Sequence, residues 1–179
     1  MIRDADLWKD DLVATREALA KIARQRMHAR RTHVAIERAL FLGFYAVRKL
    51  FLDGHLSPPL AENPVSVTRF SFRGVDFGRQ NQHLLDRWYE MDNPVPATLS
   101  LRRICNQFVH SFVFIIQLEQ DSTISGFYVV SDDFRKKSLY FVALSDVLRL
   151  FYLVGKDRSS HRGHDVNRTT ERPGVSLVE

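Results

Sequence analysis

The chain of 179 residues, 45% hydrophobic and 26% charged, has the length and composition of one folded domain and lies outside the low-hydrophobicity range of intrinsic disorder. One cysteine, Cys105, excludes an intrachain disulfide and a zinc site built from several cysteines. A formal charge of +5 and a pI near 9.6 favour contact with phosphate-rich partners without choosing among them.

The opening residues, MIRDADLWKDDL, carry aspartates where a secretory signal carries an apolar run, and no stretch reaches the ~18 apolar residues of a membrane span. A cytoplasmic protein with no membrane partner is expected. From Asp4 to Leu52 there is no proline, and Gly43 is the one glycine, so residues 4–53 are expected to form two helices that turn around Arg30, Arg31 and Thr32. The first sets Leu7, Trp8, Leu12, Leu19 and Ile22 at mostly helical spacing. The second, from about Thr32 to Leu52, is apolar on nearly all sides through ALFLGFYAVRKLFL, the pattern of a helix buried among neighbours. A small domain does not readily cover such a helix alone, and a homodimer is expected. Residues 21–31 carry Lys21, Arg24, Arg26, Arg30 and Arg31 and no acid.

Asp53, Gly54, Pro58 and Pro59 end the second helix, because proline lacks the helical donor and restricts its predecessor. Residues 65–77 alternate in VSVTRFSF and are expected to be extended, with Arg73-Gly74 as a turn before VDF. A helix is expected over 79–91, closed by Asp92-Asn93-Pro94-Val95-Pro96. Thr98 or Ser100 can cap the next helix, through LRRICNQFVH to about residue 111. Residues 112–119, 124–131 and 137–142 are β-branched and aromatic and separated by turn-rich segments, so 112–142 should form an antiparallel meander. A helix over 145–154 should stop at Gly155. From residue 156 to 179 apolar residues are few, and a disordered basic tail is expected. His161 and His164 in that tail lack fixed partners for a metal, and no metal or cofactor is expected. The fold class is therefore α+β: a helical core (4–53 and 79–111) with an antiparallel meander, in one domain over 1–155.

The chemistry lies in the fifth of these segments. On a helix at ~100° per residue, Leu101, Ile104, Cys105, Phe108 and Phe112 fall on one side, and Arg103, Asn106 and His110 share a sector on the other. Histidine titrates near neutrality and moves protons, arginine grips a phosphate through two donors, and asparagine can orient either. The same three residues also suit the solvated face of an amphipathic helix. Cys105, on the apolar side, reads as a small core residue.

The segment Arg103-Ile-Cys-Asn106-Gln-Phe-Val-His110 resembles the Arg-x(4 to 6)-His motif of HEPN domains. Two long N-terminal helices, the Arg48-Lys49 pair late in the second, and the motif helix downstream extend the likeness over residues 5–110. The resemblance implies a metal-independent endoribonuclease of a toxin, phage-defence or RNA-processing system, with Arg103 and His110 catalytic, Asn106 as a third residue, and an active site composite across a dimer. Arg24, Arg26, Arg30 and Arg31 would then contact RNA. The alternative is a non-catalytic HEPN-like subunit or antitoxin-like protein that binds a partner.

Overall fold

Helical spacing of apolar residues governs the first 52 residues and strand alternation much of the rest, so the chain builds a layer of helices against a sheet. The structure is a computed structural model describing residues 2–24, 30–75, 81 and 83–158. The elements are α1 (Ala5–Ala23), α2 (Arg30–Leu52), α3 (Pro58–Glu62), β1 (Val65–Ser71), α4 (Leu85–Trp88), β2 (Val95–Leu99), α5 (Leu101–Val109), β3 (Ser111–Leu118), β4 (Ile124–Ser131), β5 (Ser138–Ala143) and α6 (Leu144–Lys156). A single 3-10 turn, Asp132–Phe134, joins β4 to β5.

The five strands form one antiparallel sheet in the order β2-β1-β5-β4-β3. Its last three strands are the meander expected over 112–142. Alternation sends successive side chains to opposite faces. Val65, Val67, Phe127, Val129, Tyr140 and Val142 enter the main core beneath α1, α2, α5 and α6. Phe70, Val113, Val130 and Leu139 point the other way and form a second core with Trp88 and Tyr89. Phe72, Leu85, Trp88, Tyr89 and Met91 lie over that face: Phe72 bridges Tyr89, and Trp88 Nε1 donates to the Asn81 carbonyl at 2.8 Å.

This second core explains the largest departure from the expected elements. Instead of a helix over 79–91, the described residues hold only the four-residue α4, because Trp88 and Tyr89 are drawn under the sheet and Tyr89 is already extended, with φ −130° and ψ 152°. Residues 76–80 and 82 lie outside the described residues. Gly74, at φ +78°, takes the left-handed conformation that the Arg73-Gly74 turn requires.

Val95–Leu99, read from sequence as the end of a helix and the approach to a cap, is instead the edge strand β2, paired with β1 from Val65↔Leu99 to Arg69↔Val95. Pro94 and Pro96 hold their predecessors extended, and an edge strand can spare the missing proline donor. α5 ends at Val109 rather than near residue 111. Phe112 therefore sits on β3 beside the second core and not on the core side of a helix.

α2 begins at Arg30, two residues before the expected start, and it is not buried all round. Ile36, Leu40, Phe44, Val47 and Leu50 are buried, but Val34, Leu42, Tyr45 and Leu52 are exposed. One side of the helix faces the core, and the apolar residues on its outer side are left uncovered by the described residues.

The C-terminal boundary also moves. α6 continues to Lys156, with Gly155 buried inside it. A Cβ at Gly155 would overlap Val13 and stand 2.9 Å from the Lys9 carbonyl, so this glycine permits close packing of α6 on α1 rather than ending the helix. Beyond it, Asp157 is buried. The fully buried Lys9 ammonium donates to the Asp157 carbonyl at 2.5 Å, and the Asp157 carboxylate accepts from Ser57 N at 2.7 Å. Arg158 pairs with Asp6 at 3.0 Å and Asp10 at 2.5 Å. The folded unit thus includes 156–158, which the sequence assigned to a tail; residues 159–179 lie outside the described residues.

Burial lowers the Lys9 pKa, while the facing Asp157 and Asp6 carboxylates act to keep its charge. Asp157→Ala removes both a carboxylate facing a buried ammonium and the acceptor of Ser57. The carbonyl that Lys9 bonds stays in place, so the loss is that of a charged acceptor, about 1.5–3 kcal/mol, and the melting temperature should fall by roughly 5 °C. Lys9→Met in the same chain should recover much of the loss, since no unmatched charge then remains; thermal denaturation of the two variants checks this.

Candidate functional site

Ser100 starts α5: its hydroxyl accepts from Arg103 N at 3.4 Å, as the cap position requires. From there Leu101, Ile104, Cys105 and Phe108 turn into the main core. Phe108 stacks on Phe44 of α2 with ring centroids 3.8 Å apart and planes 8° from parallel. Gln107 is also buried, a residue the helical wheel did not single out, and its side-chain oxygen accepts from Ser131 N at 2.8 Å. The His110 carbonyl accepts from Asp132 N at 3.2 Å. These two bonds fix the end of β4 and the following turn against the end of α5.

Arg103 and His110 are both exposed. His110 is the residue that ends the helix, with φ −114° and ψ 31°, so it leaves the strict helical repeat. Seven residues at 1.5 Å rise place it ~10 Å along the axis from Arg103, with Asn106 between. Asn106 Oδ1 is buried and has no hydrogen-bond partner among the described residues.

The turn after β4 adds residues that sequence did not assign to the site. The Arg103 guanidinium lies 5.9 Å from the centroid of the Phe134 ring, and the Lys137 ammonium 5.0 Å from the same ring. Arg135 lies 4.6 Å over Phe112 and pairs with Asp132. The buried Tyr89 anchors the turn by donating its hydroxyl to the Arg135 carbonyl at 2.8 Å; burial pushes its pKa up, partly offset by Arg135. Cations over aromatic faces keep their charge available while gaining about 0.5–1 kcal/mol at exposed positions. Neither Arg103 nor His110 makes an ion pair among the described residues. SDDFRKK had read only as a turn-rich separator, and its mixture of cations with one phenylalanine was the available signal.

Arg103 on α5 and His110 at its end are therefore exposed, with the half-buried Asn106 between them. Arg24, Arg30 and Arg31, all exposed, sit instead where α1 ends and α2 begins. Arg31 is thirteen residues, ~20 Å along α2, from Phe44, which contacts α5. They are not part of the α5 cluster. Arg26 lies outside the described residues. Among the described residues, no group of three or more His, Cys, Asp or Glu could hold a metal ion, and no helix is long and apolar enough to cross a membrane.

Cys105 is fully buried against α2, and burial pushes its thiol up to about 12 despite the opposing Arg48 charge. A thiol so protonated in the native state is a core residue and no nucleophile at neutral pH. No protein-family model matches this chain, and none of the curated proteins or solved structures compared with it does.

The raised Cys105 pKa gives a pH signature. The unfolded thiol releases its proton above its ordinary value of 9.0 while the folded one retains it, so this contribution to stability is complete below that pH and is lost as pH rises toward 12. At 1.36 kcal/mol per unit, raising the pH from 9 to 10.5 should cost about 2 kcal/mol. Melting curves of wild type and Cys105→Ala across that range should show a shallower decline in the variant.

Proposed function

We propose that this chain is a metal-independent endoribonuclease of HEPN type, acting through the exposed side of α5. The observation that carries the reading is the row Arg103, Asn106, His110, whose two outer members are exposed and free of ion pairs, next to the cations and aromatic rings of the turn after β4. Such a surface suits a single RNA strand: cations meet phosphates, and aromatic faces accept unstacked bases.

In RNA cleavage the ribose 2′-oxygen bonds to phosphorus as it loses its proton, and the bond from phosphorus to the 5′-oxygen breaks as that oxygen gains one. His110 serves one of these transfers, and Arg103 offsets the charge that grows on the phosphoryl oxygens. On this reading the scissile phosphate lies between Arg103 and His110, which are ~10 Å apart along the helix axis. A role in a toxin or phage-defence system is part of the proposal.

A second reading, a non-catalytic subunit that binds a partner, is favoured by the apolar residues left exposed on α1 and α2. The two readings differ in one assay. Purified protein incubated with RNA in excess chelator should cleave it. His110→Ala and Arg103→Ala should each lower the rate on the order of a hundredfold or more, with melting temperatures nearly unchanged because both side chains are exposed. Asn106→Ala should be milder. Arg102→Ala, whose guanidinium lies over Phe51 instead, should cut as wild type does. Intact RNA under all conditions, or full activity in His110→Ala, would leave the partner-binding reading.

A further inference from the structure

The turn between β4 and β5 is held at both ends and in its middle. Asp132 N donates to the His110 carbonyl at 3.2 Å, and Phe72 N to the Lys137 carbonyl at 3.2 Å. Between them the Tyr89 hydroxyl donates to the Arg135 carbonyl at 2.8 Å, and Lys137 N closes the turn on the Phe134 carbonyl at 2.8 Å. The rings of Phe134 and Phe112 lean on the second core and are half-buried. The side chains of this turn are thus presented from a backbone already fixed, which spares a ligand the cost of ordering it.

Those side chains are cations and rings. Arg135, Lys136 and Lys137, with Arg102 and Arg103 at the start of α5, outnumber Asp132 and Asp133, and Arg135 takes up Asp132 in an ion pair. Arg103 and Lys137, both exposed, make no ion pair among the described residues. Both stand over the Phe134 ring, at 5.9 and 5.0 Å from its centroid. Arg135 stands 4.6 Å over Phe112, two residues beyond His110.

We propose that this turn is a clamp for single-stranded nucleic acid: Phe134 stacks an unpaired base, Lys137 takes the phosphate next to the one that Arg103 meets, and Arg135 continues the track toward His110. A cation over an exposed ring contributes less than a base stacked on that ring, and less than the same cation gains on a phosphate. An arriving strand therefore draws Arg103 and Lys137 onto its phosphates and opens the Phe134 face to a base. A duplex keeps its bases stacked inside and offers only phosphates, so it loses the ring contact. Cations and ring faces meet phosphate and base and do not tell ribose from deoxyribose, so single-stranded DNA binds as RNA does, although cleavage needs the 2′-hydroxyl.

The clamp deepens the ribonuclease reading and rests on it for the site, but it concerns binding and assigns roles to residues outside α5.

Fluorescence anisotropy of the full chain carrying His110→Ala, which leaves RNA intact, tests the clamp. The labelled probes are oligouridylate, oligothymidylate, and oligouridylate paired to oligoadenylate. The two single strands should bind within about threefold of each other, and the duplex roughly tenfold more weakly. Phe134→Leu should weaken single-strand binding roughly tenfold, and Phe134→Trp should restore it. Lys137→Ala should keep the melting temperature and reduce the slope of log affinity against log salt by about 0.7, the share of one phosphate; this variant keeps the test valid if Phe134→Leu fails to fold. The clamp is overturned if the duplex binds as tightly as the single strand, if oligothymidylate does not bind, or if Phe134→Leu and Lys137→Ala both bind as their parent does. Any of these results beside RNA cleavage by wild type leaves the ribonuclease reading standing. Phe134-dependent binding without cleavage ends that reading and leaves the clamp.

Discussion

The constraint on which this structure turns is that the central strands are apolar on both faces. Phe127 and Val129 of β4, with Tyr140 and Val142 of β5, face one side, while Val130 and Leu139 face the other. A strand buried on both faces needs cover on both. Four helices supply it on one side. On the other, cover comes from Phe72, Leu85, Trp88, Tyr89 and Met91. That the described residues hold only the short α4, Leu85–Trp88, follows from this demand: Trp88 and Tyr89 are worth more beneath the sheet than along a helix exposed to water.

The same constraint places the candidate site. α5 lies between two strands of one sheet in sequence, leaving β2 at Leu99 and entering β3 at Ser111, so it must start and stop within nine residues. Its apolar side is spent on α2, through the stacked Phe44 and Phe108, and its buried Gln107 holds Ser131. What remains for solvent is Arg102, Arg103 and His110, with Asn106 half-buried between them, beside the turn that follows β4. Arg103 and Phe134 are thirty-one positions apart in the chain and meet because both sit at one end of the sheet.

α2 serves two surfaces at once. One stripe receives α5 through Phe44, and another, bearing Val34, Leu42 and Tyr45, faces outward.

The sequence by itself determined the elements whose signal is local. Proline-free helical spacing marked α1 and α2, Thr98 or Ser100 marked the start of α5, and β-branched and aromatic runs marked the three strands of the meander, whose short connections leave only antiparallel pairing. It also placed Arg103, Asn106 and His110 on one side of a helix and Cys105 on the other, because a helical wheel needs no tertiary information. Only the tertiary structure decided whatever depends on a distant neighbour. Val95–Leu99 is a strand because β1 offers it an edge. Gly155 lies within α6 because α1 approaches there, and Asp157 belongs to the fold because Lys9, 148 residues away, is buried against it. Phe134 joins the site because the sheet returns it to α5. Local periodicity reports which side of an element is apolar, and the sheet decides what that side meets.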